Sequence, residues 1–90
     1  MLDSISREVT PAPSDRVALI VRQIMDKRGI ALAVGLHDDL RSAGLSSLDI
    51  VNLMLAVESE LDIKIPERDM TPSNFRSIAR ISELVRGLAG

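Results

Sequence analysis

The chain has no cysteine, no tryptophan and no tyrosine, and its only Phe, Tyr or Trp residue is Phe75. Without thiols it has no disulfides, no thiolate chemistry and no cysteine-bound zinc. One histidine, His37, is too few for a histidine metal site. A single ring leaves almost nothing on which to stack bases. Eleven Lys and Arg against thirteen Asp and Glu give a net charge of −2, so there is no basic excess for nucleic acid or an anionic membrane. The longest apolar run, Ile30 to Leu36, is far below the roughly 20 residues that span a bilayer. The first thirteen residues carry Asp3, Arg7 and Glu8 and lack the apolar core of a secretory signal, which leads us to expect a cytoplasmic protein.

What is present is aliphatic and helical. Ninety residues, 46% hydrophobic and 27% charged, make one small domain with one core. Residues 1–13, ending in Pro11-Ala12-Pro13, read as a flexible tail, and 14–90 as the folded unit. Ser14 can cap a helix over about 15–28 in which Val17, Ile20, Val21 and Ile24 share a face, and Gly29 suits its C-terminal turn. Residues 29–46 keep no period and predict a long loop pinned to the core; a loop of that length has work to do. From Ser47 to Asp62 the residues Ile50, Leu53, Met54, Val57 and Leu61 form one apolar stripe, the clearest helix of the chain. Pro66 holds Ile65 extended, residues 67–76 allow a short helix or turn, and Ser77 can cap a last helix bearing Ile78, Ile81, Leu84 and Val85, closed by Gly87 or Gly90. The expectation is an all-α, small antiparallel four-helix bundle, three main helices and one short one, with a long loop between the first two.

Few residues could carry chemistry. His37, Asp38 and Asp39 are adjacent in a loop, and sequence neighbours rarely converge on one target. They read as solvated groups at the turn that buries Leu40. A serine at a helix start ordinarily caps orphan amides. An exposed hydroxyl at a loop-to-helix junction can also bear a bulky covalent group without disturbing the core, and a helix N-terminus favours an attached phosphate.

The run Asp39-Leu40, three residues, then Gly44-Leu45-Ser46-Ser47-Leu48-Asp49 resembles the signature of acyl and peptidyl carrier proteins, and the likeness continues to Ile65-Pro66. Where that family has an aspartate before its modified serine this chain has Ser46, and Ala43 stands where the residue before the glycine is larger. The resemblance implies a carrier, not an enzyme. A 4′-phosphopantetheine arm from coenzyme A would be attached to Ser47, the serine followed directly by Leu48-Asp49, with Ser46 as the alternative attachment point and, on the first reading, the helix cap. The arm would hold an acyl or aminoacyl cargo as a thioester. The resemblance to stand-alone aminoacyl carrier proteins favours an amino acid, with fatty acyl or polyketide cargo as the competitor. A phosphopantetheinyl transferase and a loading ligase or synthase are the implied partners, with no nucleic acid or membrane, and the family likeness suggests a monomer.

Residues 36–66 hold six acids (Asp38, Asp39, Asp49, Glu58, Glu60, Asp62) against two bases, a net −4 around the proposed site. Such a cluster suits docking on basic enzyme patches. Asn52 and Ser59 stand where strongly acidic carriers have glutamates, so the face is less acidic than theirs. Leu48, Asp49, Val51, Asn52, Leu55 and Glu58 are the expected partner-binding residues, Val51 and Leu55 because they lie off the inward stripe. The rival expectation is a non-covalent helical adaptor that uses the same helix face and carries no arm. An enzyme built on His37 and Asp38 ranks third.

Overall fold

The computed structural model describes residues 13–89, and the expectation of a tail over 1–13 falls outside them but for Pro13. The described residues form three α-helices and one 3-10 turn: α1 (Pro13–Lys27), α2 (Ser47–Leu61), the turn Glu67–Asp69, and α3 (Ile78–Ala89). Helix α1 begins at Pro13, inside the segment expected to be tail. Proline suits a first helical position, where its missing N–H has no partner to lose and its φ is already helical. The expected short fourth helix is a single 3-10 turn, followed by hydrogen-bonded turns and a bend up to Ser77. Two acids and Pro72 in that stretch leave too little apolar surface to hold a longer helix.

Glycine ends α1 as its sequence suggests. Gly29 takes φ +73°, and the Ile30 amide reaches back to the Met25 carbonyl at 2.9 Å, which satisfies an orphan acceptor at the helix end. Helix α2 closes instead on Asp62, left-handed at φ 54°. Asp tolerates that conformation better than a branched residue would. Gly87, one of the two expected terminators, lies inside α3, which continues to Ala89, next to the other, Gly90.

Val17, Val21, Leu40, Leu45, Leu53, Val57, Ile65, Phe75 and Ile81 make the fully enclosed centre of one core. Helix α1 packs against both α2 and α3. The long loop contributes Leu40 and Leu45 as anchors and is tied across the molecule: the Leu40 amide donates to the Arg76 carbonyl at 2.9 Å, and the Ala79 amide to Leu36 at 2.9 Å. Each bond couples the loop to the start of α3, so the segment that leads into α2 is held at both sides.

Candidate functional site

The junction of this loop with α2 is built by two adjacent serines with different tasks. Ser46 is the N-cap: its backbone is extended, and its hydroxyl oxygen accepts the Asp49 amide at 3.2 Å. In return the Asp49 carboxylate accepts the Ser46 amide at 2.8 Å and the Ser46 hydroxyl at 3.0 Å. This reciprocal capping box satisfies two donors that would otherwise be orphaned at the helix start. Arg28, just past the end of α1, brings its Nε within 3.5 Å of the same carboxylate. The Ser46 amide foremost, then its hydroxyl and the Arg28 charge, hold the Asp49 carboxyl below its ordinary pKa against the opposing effect of burial. Ser47, the first helical residue, is exposed, and among the hydrogen bonds of the described residues none engages its hydroxyl.

Beside Ser47 lies an open groove of about 230 Å³, floored by Ile50, Val51, Met54, Met70 and Pro72 and flanked by Arg41. An exposed hydroxyl at a helix N-terminus, with an apolar trough next to it, fits a phosphodiester and the thin chain of a phosphopantetheine. The loop glycine upstream is required there. Gly44 has φ +119°, and a Cβ on it would stand 3.2 Å from Ile30 Cδ1.

The other expected site residues divide in two. Leu48, Val51 and Leu55 are exposed at 68%, 47% and 55%, and Asn52 is exposed with them. Asp49 is not on that face. It is buried, because its carboxylate is committed to the cap. Glu58 is half-buried and accepts the Ile65 amide at 2.8 Å, bracing the chain beyond α2. Asp38 accepts the Gly35 amide, and Asp39 accepts the Arg41 and Ser42 amides and the Arg76 Nε at 3.3 Å, contacts that lower the Asp39 pKa, the Ser42 amide most. Four of the six acids around the site thus serve the local backbone. His37 is exposed and converges with nothing that would make a catalytic centre. Among the described residues no group of three or more His, Asp or Glu could hold a metal, and no helix is long and apolar enough to cross a membrane. Sequence reading missed Arg28, Arg41, Met70 and Pro72, which reach the site through tertiary packing and leave no local signal.

Residues 15–85 match the family described as the phosphopantetheine attachment site. The chain belongs to this family. It is 38% identical over 71 residues to Aminoacyl carrier protein 1 of Bradyrhizobium diazoefficiens, covering 79% of each chain. To Aminoacyl carrier protein 2 of the same organism it is 36% identical over 76 residues, covering 84% of this chain and 85% of the relative. Among solved structures it resembles, with TM-score 0.74 and 34% identity over 86% of this chain and 99% of the other, a chain in the crystal structure of Bradyrhizobium japonicum glycine:[carrier protein] ligase complexed with its cognate carrier protein and an analogue of glycyl adenylate. A second, at TM-score 0.68 and 37% identity over 79% of this chain and 96% of the other, is from that ligase complexed with glycylated carrier protein. The all-α bundle and the carrier function expected from the sequence both stand: the protein is a carrier whose cofactor is covalent 4′-phosphopantetheine.

Proposed function

We propose that Ser47 Oγ is the attachment point and that the cargo is an amino acid, loaded by a ligase of the kind crystallised with the protein's relatives. The observation that carries the assignment is the division of labour between neighbouring hydroxyls: Ser46 is bonded in both directions within the cap, while Ser47 is exposed and unengaged. In the attachment step Ser47 Oγ loses its proton and bonds to the β-phosphorus of coenzyme A. The bond from that phosphorus to adenosine 3′,5′-bisphosphate breaks, and the bisphosphate leaves with the electron pair. When bound, the arm supplies a terminal thiol that holds the cargo as a thioester. Helix α2 presents the serine at its N-terminal end, where free amides and the helix dipole favour the phosphodiester. The exposed residues Leu48, Val51, Asn52 and Leu55 lie beside it as the partner-facing surface. A cytoplasmic setting belongs to the same reading, since coenzyme A, transferase and ligase must all reach the chain.

The test is to incubate the protein with coenzyme A and a broad-specificity phosphopantetheinyl transferase and to map the added mass by peptide mass spectrometry. One phosphopantetheine on Ser47 is expected, absent in Ser47→Ala and retained in Ser46→Ala. An increment on Ser46, or none with several transferases, sinks the assignment. Screening the armed protein with amino acids and fatty acids, each supplied with ATP and a ligase that activates it as an adenylate, then decides the cargo.

A further inference from the structure

Arg41 lies on a short folded turn in the loop before α2. Asp39 accepts the Arg41 and Ser42 amides on its carboxylate and the Ala43 amide on its carbonyl at 3.0 Å, and the Gly44 amide donates to the Arg41 carbonyl at 3.1 Å. Leu40 and Leu45, both buried, pin the two ends of this turn. The Arg41 backbone is thereby fixed, and its exposed side chain stands at the groove that Ser47 also lines. Among the residues lining that groove Arg41 alone is charged: Ser47 supplies a hydroxyl, and Ile50, Val51, Met54, Met70 and Pro72 are apolar. The neighbouring acids are committed elsewhere. Asp38 serves the Gly35 amide, Asp39 the turn and Arg76, and Asp49 the cap and Arg28. Among the ion pairs of the described residues none includes the Arg41 guanidinium, whereas Arg28, the other cation at this end of α2, is held by Asp49.

We infer that Arg41 is the counter-ion of the arm: its guanidinium pairs with the phosphodiester attached to Ser47 Oγ and keeps the arm over the groove floored by Met54, Met70 and Pro72. The inference rests on Ser47 as the attachment point. A phosphodiester is anionic and a guanidinium cationic throughout the neutral range, and the planar fork of arginine can donate two N–H bonds to two phosphate oxygens. The amides at the start of α2 attract the phosphate along the helix axis but select no direction around it. Arg41 does select one, because it stands on the groove side of Ser47. With the phosphate held there, the thin chain of the arm leaves across an apolar floor instead of sweeping the whole end of the helix. An exposed pair of this kind is weak and is screened by salt, which lets an enzyme draw the arm away from the carrier.

The experiment compares the full chain with and without its phosphopantetheine by NMR, the attachment residue having first been mapped by mass. In the parent, arming should move the Arg41 Nε–Hε signal and the methyl signals of Met54 and Met70. In Arg41→Gln the arming-induced methyl shifts should be about two- to fourfold smaller, and the phosphorus signal of the arm should differ from that of the parent. Arg41→Lys, which keeps the charge and loses the fork, should fall between them. Raising salt from about 0.05 to about 0.5 M should bring the parent towards the glutamine variant. Because each value is a difference between armed and unarmed protein, a purely structural effect of the substitution cancels. With the arm mapped to Ser47, an Arg41 signal that does not respond to arming, or methyl shifts as large in Arg41→Gln as in the parent, overturns this inference and leaves the attachment standing. An arm mapped to Ser46 overturns both.

Discussion

At the scale of single residues, Asp49 shows how one carboxylate can be misassigned from its neighbours. Its place in the first turn of an amphipathic helix, amid other acids, suggests an outward, partner-facing group, yet the spacing Ser46-x-x-Asp49 is that of a reciprocal cap, and the cap takes precedence. That signal is local and legible; the Arg28 contact, made from just past the end of α1, is not. Because the folded-state pKa of Asp49 lies below the unfolded value of about 3.9, its contribution to stability is complete above that pH and is lost as the pH falls through the depressed value. Asp39 has the same sign. Urea unfolding of the protein and of Asp49→Asn should therefore differ by a constant amount above about pH 5, and the gap should narrow below about pH 4. A gap that widens on acidification would contradict the bonding described. Ser46→Ala should cost about 1 kcal/mol at neutral pH through loss of the cap, whereas Ser47→Ala, at an exposed hydroxyl with no bond to lose, should stay within about 0.5 kcal/mol of the parent.

At the scale of elements, the three helices were readable because each carries an apolar stripe of period 3.6, and the loop was readable as a long segment pinned to the core, but the partners that pin it were not, because they are Arg76 and Ala79, more than thirty residues away. Exposed Leu48, Val51 and Leu55 were legible for the complementary reason: they fall off the buried stripe. Glycine positions separate the cases further. Gly87 reads as a stop signal, but the apolar positions Val85 and Leu88 on either side keep α3 packed through it. Nothing lies within 4 Å of where its Cβ would be, so Gly87→Ala should stabilise the protein by about 0.5–1 kcal/mol, seen as a higher denaturation midpoint. Gly44 is the opposite case. Its φ of +119° excludes side chains and the new Cβ would press on Ile30, so Gly44→Ala should cost about 1–3 kcal/mol and loosen the approach to Ser46 and Ser47. Equal effects at the two glycines would mean that the loop is not held as described.

At the scale of the whole molecule, the site depends on a core with little to spare. Single domains are stable by about 0.05–0.15 kcal/mol per residue, and a chain of this length buries a smaller share of its surface than larger domains do. Phe75 is the largest of the fully buried side chains, supplied by the turns before α3. Its neighbours in sequence tie those turns to the long loop: Arg76 accepts the Leu40 amide through its carbonyl and pairs with Asp39 through its side chain. Removing the ring would open a cavity at the place where loop, turns and helices meet. Phe75→Ala should cost about 3–5 kcal/mol, a large part of the total, while Phe75→Leu, closer in volume, should cost less than about 1.5 kcal/mol. Urea denaturation followed by circular dichroism checks both, with the alanine variant unfolding at a much lower midpoint. The armed state adds a second readout. Because Ser47 projects from the surface, below its own unfolding transition Phe75→Leu should accept phosphopantetheine as fast as the parent, and slow modification of a fully folded leucine variant would mean that the core governs the presentation of the serine as well as the stability of the fold.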